Sequence, residues 1–472
     1  MNDIINFSGY RHRFLACIVI EAKTPLAVGS GEKDVLTDAL VATDVNGLPY
    51  IPGTAIAGVV RHMIGEESAK SFFGFQGGSN EGHGSEIIFT EAKILNSKGK
   101  VVDGMNLDAK DDDLLKYYDE LPIRQHVRIN EKGVTDKAGK FDEQVVFAGT
   151  RFCFELEMVA KNDDITNFNL ALDQIKNSIF RIGSGTRCGF GEIQVVDLQK
   201  RRLDLKKQSE LELYLNKSSE LSMDWSGWEK HDVDSKGAED WVKYELRLTP
   251  ENFFLFGSGF GDDEVDMTPV KEKKVVWRDG KGELTEELVL IPATSVKGAL
   301  AHRVAYHYNK LTGVYADNLE TEEERKNVVG KNNKAVKALF GSEGEIDKVT
   351  KKMVNQARGN VFFSDVIENT LEDKILNHVA IDRFTGGAID GALFSEKTTY
   401  GKGQTFEMSV YVKEDAFSEG EYIQEAFEAA LKDIIDGLLP LGGGVNRGNG
   451  CFGGSVEEVN GTFNHKREVE KW

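Results

Sequence analysis

The chain has 472 residues, of which 40% are hydrophobic, and its 58 Lys and Arg against 78 Asp and Glu give a formal net charge of −20 at pH 7. This length predicts two to four domains at roughly 150 residues each, and the charge excludes a generally basic nucleic-acid coat, although local basic grooves remain open. No run of about 18 apolar residues and no signal-peptide core occur, so we expect a cytoplasmic protein without a membrane partner.

The predicted elements of the first domain, residues 1–197, follow the order strand, helix, strand, strand, helix, strand. Apolar positions alternate over 12–28, which predicts a half-buried strand. The segment Ile51–Pro52 precedes a predicted amphipathic helix that Gly53 or Thr54 can cap. The later elements are a strand over 150–160, a helix over 166–183 and a closing strand over 189–196.

A charged segment, residues 198–240, follows and is interpreted as a linker or partly helical connector. Its basic run is interpreted as solvated surface, with RNA contact as the alternative. The second domain, residues 241–472, repeats the order of the first. Its elements are a strand over 241–250, a helix after Ile291–Pro292, a strand over 404–412, a helix over 422–440 and a strand over 451–459.

Five sequence blocks recur in the same order, which indicates two copies of one unit rather than two unrelated domains. The paired blocks are 48–65 with 288–307, 72–74 with 339–341, 87–92 with 361–366, 126–147 with 378–400, and 179–195 with 438–456. The order of elements predicts an α+β fold of two tandem ferredoxin-like (RRM-like, βαββαβ) domains with long insertions. Such a fold commonly presents an open antiparallel sheet to a single nucleic-acid strand.

Common catalytic signatures are absent from the sequence. It has no GxxxxGK[ST] and no HExxH, and its one GxGxxG, at 448–453, precedes a strand rather than a helix. Two glycine-rich segments remain, 183–191 with Arg187 and 442–450 with Arg447. Glycine amides beside a guanidinium are typical of a phosphate cradle, and an ordinary tight turn is the alternative.

These segments, the two Ile-Pro motifs and the IDRFTGGAID segment at 381–390 together resemble the RAMP superfamily of CRISPR effectors. The resemblance covers residues 11–196 and 241–459, and a fused pair looks most like the double backbone subunit of type III-D systems. It implies a subunit that holds a guide CRISPR RNA against complementary target RNA, together with other subunits of a type III complex. In each unit a β-hairpin "thumb" would push out one nucleotide.

The resemblance also implies the residues that contact RNA. They are Gly53, Thr54, Arg61, Arg128, Gly183, Gly185, Arg187, Thr294, Ser295, Lys297, Arg303, Arg383, Thr385, Gly443, Asn446 and Arg447. The first thumb departs from the family pattern, since Asn130 and Glu131 replace Asp and Arg. That departure leaves Arg128 and Lys132 as the candidates there.

The family further implies metal-dependent cleavage of target RNA by an aspartate before each Ile-Pro motif. Asp38 matches this position in the first unit and Asp44 the later acidic position; Asp266 matches it in the second, with Asp262 and Asp263 as alternatives. Asp38 and Asp266 are therefore the predicted catalytic and metal-binding residues, with Mg²⁺ or another divalent cation as cofactor. A carboxylate near a displaced nucleotide can hold Mg²⁺ or help to activate a 2′-hydroxyl.

Two alternatives stay open. The same architecture could be a purely structural subunit, or the chain could be a stand-alone ribonuclease that processes the guide precursor and uses His126 or His378 as acid or base. Because the whole chain is acidic, RNA binding further predicts a basic stripe that joins the two units. Its candidate cations are Arg61, Arg187, Lys297, Arg303, Arg383 and Arg447.

Overall fold

The structure is a computed structural model that describes residues 9–31, 37–77, 81–130, 132–222, 224–346 and 353–459. Within these ranges the first unit and the segment after it contain β1 (His12–Ala22), α1 (Gly53–Ile64), α2 (Glu66–Phe73), β2 (Phe75–Gln76), β3 (Gly82–His83), β4 (Ile87–Phe89), β5 (Lys93–Ile94), β6 (Ile123–Ile129), β7 (Thr135–Gln144), β8 (Arg151–Ala160), α3 (Thr166–Ile175), β9 (Ile193–Asp204), α4 (Gln208–Leu215) and β10 (Glu229–Lys230).

The second unit repeats this plan with longer insertions. Its elements are β11 (Trp241–Pro250), β12 (Phe253–Phe254), β13 (Lys271–Glu272), β14 (Val275–Arg278), β15 (Lys281–Leu284), β16 (Leu288–Ile291), α5 (Ala293–Thr312), α6 (Glu322–Val328), α7 (Lys334–Phe340), β17 (Ser342–Ile346), β18 (Met353–Ala357), β19 (Val361–Phe363), β20 (Val366–Glu368), β21 (Asp373–Ile381), β22 (Ala388–Tyr400), β23 (Phe406–Lys413), α8 (Asp415–Ser418), α9 (Ile423–Ile435) and β24 (Phe452–Glu458).

The two main sheets have the same topology. In the first, the strand order is β9-β1-β8-β4, and in the second it is β24-β11-β23-β19, with antiparallel neighbours throughout. Numbered within each unit, both orders read 4-1-3-2, which is the ferredoxin-like arrangement. The predicted α+β fold of two tandem ferredoxin-like domains is therefore confirmed.

The helices that follow the Ile-Pro motifs pack with the second helix of each unit against one face of each sheet. In the first unit Ile56 of α1 and Phe168 of α3 lie in one core with Phe14 of β1. In the second, Val296 of α5 and Phe427 of α9 share a core with β11. The helix face of each sheet is thus buried, as the apolar periodicity predicts.

Four sequence-derived details differ from the structure. The residue before α1 is Pro52, and no side chain caps this helix, so the prediction of a Gly53 or Thr54 cap was wrong. α3 ends at Ile175 rather than at residue 183, and α9 ends at Ile435 rather than at residue 440. β9 continues to Asp204, so residues 198–204, which the sequence assigned to the linker, pair with β1.

The first strand is buried on both faces instead of one. The charged connecting segment lies across the outer face of the first sheet, where Trp225 packs with Cys17, Val19 and Cys153. Trp228 reaches the neighbouring apolar cluster around Leu15. The half-buried pattern predicted for β1 fails because residues from the connecting segment cover the face that the alternation left open.

A β-hairpin leaves each unit, as the family resemblance implied. We call β6 and β7 thumb 1, and β21 and β22 thumb 2; both are antiparallel hairpins. Thumb 2 is more exposed, and its tip residue Phe384 is 99% exposed. No helix among the described residues is long and apolar enough to cross a bilayer.

Thumb 1 is joined to the second unit by buried charges at its root. The guanidinium of Arg124 donates to both carboxylate oxygens of Glu272 and, at 3.0 Å, to Asp365. All three residues are buried, at 4%, 6% and 8% exposure. Burial alone would lower the pKa of Arg124, but the two carboxylates outweigh it and raise that pKa. The units are therefore tied by a charge cluster that water does not screen.

Replacing Arg124 should consequently destabilise the chain far more than replacing an exposed arginine on the same thumb. Arg124→Met leaves two buried carboxylates without a counter-charge, and we expect the free energy of unfolding to fall by ~3–5 kcal/mol. The control is Arg128→Met, since Arg128 makes an ion pair with Glu343 in which both side chains are 53% exposed; this change should cost less than ~1 kcal/mol. Urea denaturation measures both, and equal losses would contradict the assignment.

Candidate functional site

Each unit has an acid loop whose aspartate exchanges hydrogen bonds with its thumb. In acid loop 1 (described residues 37–44), the amide of Asp38 donates to Asp142 Oδ1 at 2.9 Å, and the amide of Asp142 donates to Asp38 Oδ2 at 3.3 Å. In acid loop 2 (257–269), the amide of Ser395 donates to Asp266 Oδ2 at 2.8 Å. The amide of Asp266 in turn donates to the carbonyl of Ser395 at 3.1 Å. Asp38 and Asp266 thus occupy equivalent positions.

Two of the other acidic candidates, Asp44 and Asp262, hold the turns of these loops, and the third, Asp263, is exposed. Asp44 Oδ1 accepts the amides of Asn46 and Leu48 at 2.8 and 3.1 Å. Asp262 accepts hydrogen bonds from two backbone amides of its own loop, and its Oδ2 lies 2.8 Å from Lys397 Nζ in an ion pair. The hydrogen bond from Lys397 lowers the pKa of Asp262, which keeps it ionised. Among the alternatives in acid loop 2, Asp266 is therefore the structural counterpart of Asp38.

A second constellation is repeated at the thumb roots. His126 Nε2 lies 3.1 Å from Glu143 Oε1, and its ring stacks on Phe141 with centroids 4.7 Å apart. His378 Nε2 lies 3.1 Å from Glu396 Oε1, and its ring stacks on Phe394 at 4.7 Å. His126 is only 9% exposed, so its ring is held within the thumb root and is poorly placed to meet a substrate.

Arg447 of the second glycine loop is tied to this constellation. Its guanidinium donates to Glu396 Oε2 at 2.5 Å, and Glu396 is fully buried. The glycine loops (183–191 and 442–450) have matching backbone bonds, from Ile182 to the carbonyl of Gly191 and from Leu441 to that of Gly450. By this register Arg447 corresponds to Cys188. The two arginines predicted to serve the same role therefore occupy different positions.

Arg187 corresponds by the same register to Asn446 and faces the other unit. Its guanidinium donates to the carbonyl of Gly359 and lies 4.7 Å from the ring centroid of Phe362. Burial and the nearby charge of Arg358 together lower the pKa of Arg187 to about 10, so the group stays charged at neutral pH. Within the described residues, the guanidinium of Arg187 therefore contacts the second unit.

The glycines of these loops serve close backbone packing. A Cβ on Gly183 would lie 2.4 Å from the carbonyl oxygen of Ala27, and one on Gly442 would lie 2.5 Å from that of Leu255. A Cβ on Gly185 would lie 2.5 Å from the ring of Phe190. The amide of Gly443, a predicted RNA contact, donates to the Leu255 carbonyl at 2.7 Å. Tight-turn packing accounts for these glycines, and a phosphate cradle remains a prediction.

Glycine loop 1 ends on a buried carboxylate that bridges the units. Glu192 accepts a hydrogen bond from the hydroxyl of Ser364, and it pairs with Arg181 at 3.2 Å and Lys23 at 2.8 Å. Burial would raise the pKa of Glu192, but the charges of Arg181 and Lys23 outweigh it and lower that pKa to about 2. This carboxylate is therefore ionised throughout the neutral range.

The candidates at the Ile-Pro motifs divide by environment. Gly53 is buried and packs against the carbonyl of Phe89, whereas Thr54 is exposed. Arg61 is half-buried and makes no ion pair among the described residues. Arg303 donates to Asp433 at 2.5 Å, and Asp433 is 1% exposed, so the charge of Arg303 is internally balanced.

Three further candidates, Arg128, Arg383 and Thr385, lie on the thumbs. Arg128 pairs with Glu343 of the other unit at 2.6 Å. Thr385 donates its amide and hydroxyl to Asp382 at the exposed tip of thumb 2, beside the exposed Arg383. Asn130 holds the turn of thumb 1 by accepting the amides of Lys132 and Val134. Glu131 lies outside the described residues.

A cavity of about 470 Å³ lies where thumb 1 meets acid loop 2 and the start of α5. Thr294 and Ser295, two predicted contacts, line it, and so do Gln125 and Lys397, which the sequence analysis missed. Lys297 is half-buried, and its ammonium nitrogen lies 3.8 Å from the sulfur of Cys188 in the first unit. Gln125 and Lys397 carry no motif. Only their places beside the repeated histidine and glutamate in the aligned thumbs could have indicated them.

The carboxylates fit a divalent cation only together with oxygens from a ligand. No group of three metal-binding side chains occurs in the described part of the chain. Mg²⁺ is commonly held by one or two carboxylates plus phosphate oxygens and water. Asp38 with the neighbouring Asp142, and Asp266 with its second carboxylate oxygen, are donor sets of that kind. An RNA phosphate would have to complete either one.

Comparison with known proteins identifies one family and a solved structure. The model of the family described as the RAMP superfamily matches residues 19–194 and 279–453. The chain is similar, at 17% identity and a TM-score of 0.29, to one chain of a cryo-EM structure described as the type III-B Cmr-beta bound to cognate target RNA. That match covers 40% of this chain and 60% of that chain, which is less than two thirds of its length. No curated protein matches the chain.

The low pKa of Glu192 predicts a pH dependence of stability. A carboxylate with a pKa of about 2, against 4.5 ordinarily, contributes stability above pH 4.5 that is lost as the pH falls towards 2. We expect Glu192→Gln to lower the free energy of unfolding by ~3 kcal/mol at pH 7 and by much less at pH 3. Urea denaturation at the two pH values measures this. The exposed Glu239→Gln is the control, and a loss that does not depend on pH would contradict the role of the Glu192 charge.

Proposed function

Because the chain belongs to the RAMP superfamily, we propose that it is a guide-RNA-binding backbone subunit of a type III CRISPR ribonucleoprotein in which two units are fused. It would cut complementary target RNA beside Asp38 and beside Asp266, work with other subunits of the complex and reside in the cytoplasm. The observation that carries the proposal is the repeated pairing of an acid-loop aspartate with the thumb of its own unit.

This pairing supports a mechanism in which RNA distortion does most of the work. A thumb that displaces one nucleotide can align the 2′-oxygen, the phosphorus and the leaving 5′-oxygen. The 2′-oxygen then bonds to phosphorus as the bond from phosphorus to the 5′-oxygen breaks, which leaves a 2′,3′-cyclic phosphate and a 5′-hydroxyl. The aspartate or water accepts the 2′ proton, and water supplies one to the 5′-oxygen.

A divalent cation would add charge stabilisation to the same step. Bound Mg²⁺ acts as a Lewis acid on phosphoryl oxygens and neutralises the negative charge that develops there. Asp38 and Asp266 would hold it, with RNA oxygens as the remaining ligands. The hydrogen bonds from the amides of Asp142 and Ser395 orient these carboxylates.

Separate substitution of the two aspartates tests the cleavage. In the complex with guide RNA, Asp38→Ala should remove one set of cuts in the target, and Asp266→Ala the other, because each carboxylate serves its own thumb. Guide binding should stay unchanged in both. Mapping the 5′ ends of the products on a gel measures the cuts. Asp263→Ala, an exposed acid in acid loop 2, is the matched control.

If every cut survives both substitutions, the catalytic assignment is wrong. If the wild-type complex binds its guide and makes no cut, the chain is a purely structural subunit of the same architecture. Processing of a guide precursor by the isolated protein without metal would instead favour the stand-alone ribonuclease. In that case His378→Ala should abolish it, because His378 is the more exposed of the two thumb-root histidines.

RNA binding by this acidic chain depends on cations that remain unpaired. Arg303 and Arg447 are balanced by buried carboxylates, and Arg187 and Lys297 each contact the other unit. The basic stripe is therefore supported mainly by Arg61 and Arg383, which make no ion pair within the described residues. Each cation that neutralises a phosphate of a single strand contributes about 0.7 to the slope of log affinity against log salt.

We therefore expect Arg61→Ala to weaken guide binding and to reduce that salt slope by about 0.7, because one phosphate contact and its released counterion are lost. The control is Lys98→Ala, an exposed cation in the turn after β5, which should leave the slope unchanged. Filter binding at several salt concentrations measures both slopes. An unchanged slope for Arg61→Ala would place Arg61 outside the RNA path.

A further inference from the structure

Thumb 1 of the first unit touches the acid loop of the second. Lys140 Nζ of β7 lies 5.3 Å from the ring centroid of Phe260 in acid loop 2. One residue earlier, Gly259 lies beside Gln125 of β6, where a Cβ would be in ordinary van der Waals contact, 3.4 Å from Gln125 Cβ. The loop that carries Asp266 is thus contacted, at an exposed face, by a hairpin from the preceding unit.

The backbone of Phe260 makes four hydrogen bonds within acid loop 2. Its carbonyl accepts the amide of Thr268 at 3.1 Å and the hydroxyls of Thr268 and Ser258, each at 3.0 Å. Its own amide donates to Ser258 Oγ at 3.2 Å. Both arms of the loop are therefore fastened to Phe260, and Asp266 lies two residues before Thr268. A contact that fixes the Phe260 ring restrains the position of Asp266.

Gln125 links the two acid loops through thumb 1. Its amide nitrogen lies 3.4 Å from Asp142 Oδ2, and Asp142 is the residue that pairs with Asp38. Its amide oxygen is buried and has no hydrogen-bond partner within the described residues. Thumb 1 is consequently in contact with acid loop 1 through Asp142, and with acid loop 2 through Gln125 and Lys140.

The contact is not repeated in the second thumb. Strand pairing places Lys140 opposite Val127, and it places Leu393 opposite Val379 at the equivalent position of thumb 2. Leu393 is an apolar residue, 71% exposed, and cannot make a cation–π contact. Thumb 1 therefore holds acid loop 2 by a cation–π contact that thumb 2 cannot form.

We propose that Lys140 and Phe260 are positioning residues through which thumb 1 holds acid loop 2, so that cleavage beside Asp266 depends on the preceding unit. The effect on cleavage rests on the proposed function, whereas the restraint on the loop does not. An exposed cation–π contact contributes about 0.5–1 kcal/mol, which corresponds to a two- to five-fold change in the rate at this site.

The catalytic test is a double-mutant cycle in the guide-bound complex. The relevant cut is the one that Asp266→Ala abolishes. Lys140→Ala and Phe260→Ala should each reduce the rate of this cut two- to five-fold. The double variant should be no slower than the slower of the two single variants. Lys140→Arg and Phe260→Tyr keep a cation over a ring and should restore the rate. The cut that depends on Asp38 should keep its rate in every variant. Strictly additive losses, or equal losses at both cuts, would overturn the proposal.

A second measurement tests the restraint without any cleavage. Amide hydrogen exchange of the full chain should be two- to five-fold faster across 257–269 in Lys140→Ala and in Phe260→Ala, and unchanged in Lys140→Arg. The control is Lys374→Ala, which removes an exposed lysine of thumb 2 and should leave both acid loops unchanged.

The two readouts separate the proposals. If the wild-type complex makes no cut, the proposed nuclease function is wrong, and hydrogen exchange alone then tests whether thumb 1 restrains acid loop 2. If a cut depends on Asp266 but Lys140→Ala changes neither its rate nor the hydrogen exchange of acid loop 2, the proposed restraint is wrong. The proposed nuclease function would then still hold.

Discussion

The arrangement of the two units depends on the guanidinium of Arg124, which is buried between Glu272 and Asp365. Asp365 also accepts the amide of Ala293 at 2.7 Å, so the same carboxylate fixes the start of α5. Buried ion clusters contribute little net stability compared with apolar packing, but leaving one partner uncompensated costs several kcal/mol. Few placements of thumb 1 can satisfy all three charges. The cluster therefore selects the position from which Gln125, the next residue, contacts acid loop 2.

The fold was predictable because its signals are local and repeated. Apolar periodicity located the helices after Ile51–Pro52 and Ile291–Pro292, and the order of the repeated blocks implied one topology for both units. The contacts between the units were not predictable in this way. Arg124 lies in no motif, and its partners are 148 and 241 residues away along the chain. A single sequence contains no signal that pairs residues at such separations.

The site shows the same division. Motif spacing placed Asp38 and Asp266 at positions that the hydrogen bonds of Asp142 and Ser395 show to be equivalent. The arginines of the glycine loops show how such spacing fails, since both loops contain one arginine and keep the same backbone turn. Arg447 occupies the position of Cys188, and a shift of one residue directs the two guanidinium groups to different partners. Sequence similarity in a loop located the turn, and it could not give the direction of a side chain.

The connecting segment is structurally part of the first unit. Trp225 and Trp228 complete the outer layer of its sheet, and Cys17 and Cys153 lie beneath them. Burial raises the pKa of Cys153 to about 12, so its thiol stays protonated and slow to react at neutral pH. A protease nick at residue 197 would divide β9 and free the segment that carries this cover, which would expose the thiols of Cys17 and Cys153 to alkylation. A chain break that leaves the cover on the first sheet must therefore lie after β10, which pairs with β9, and before β11.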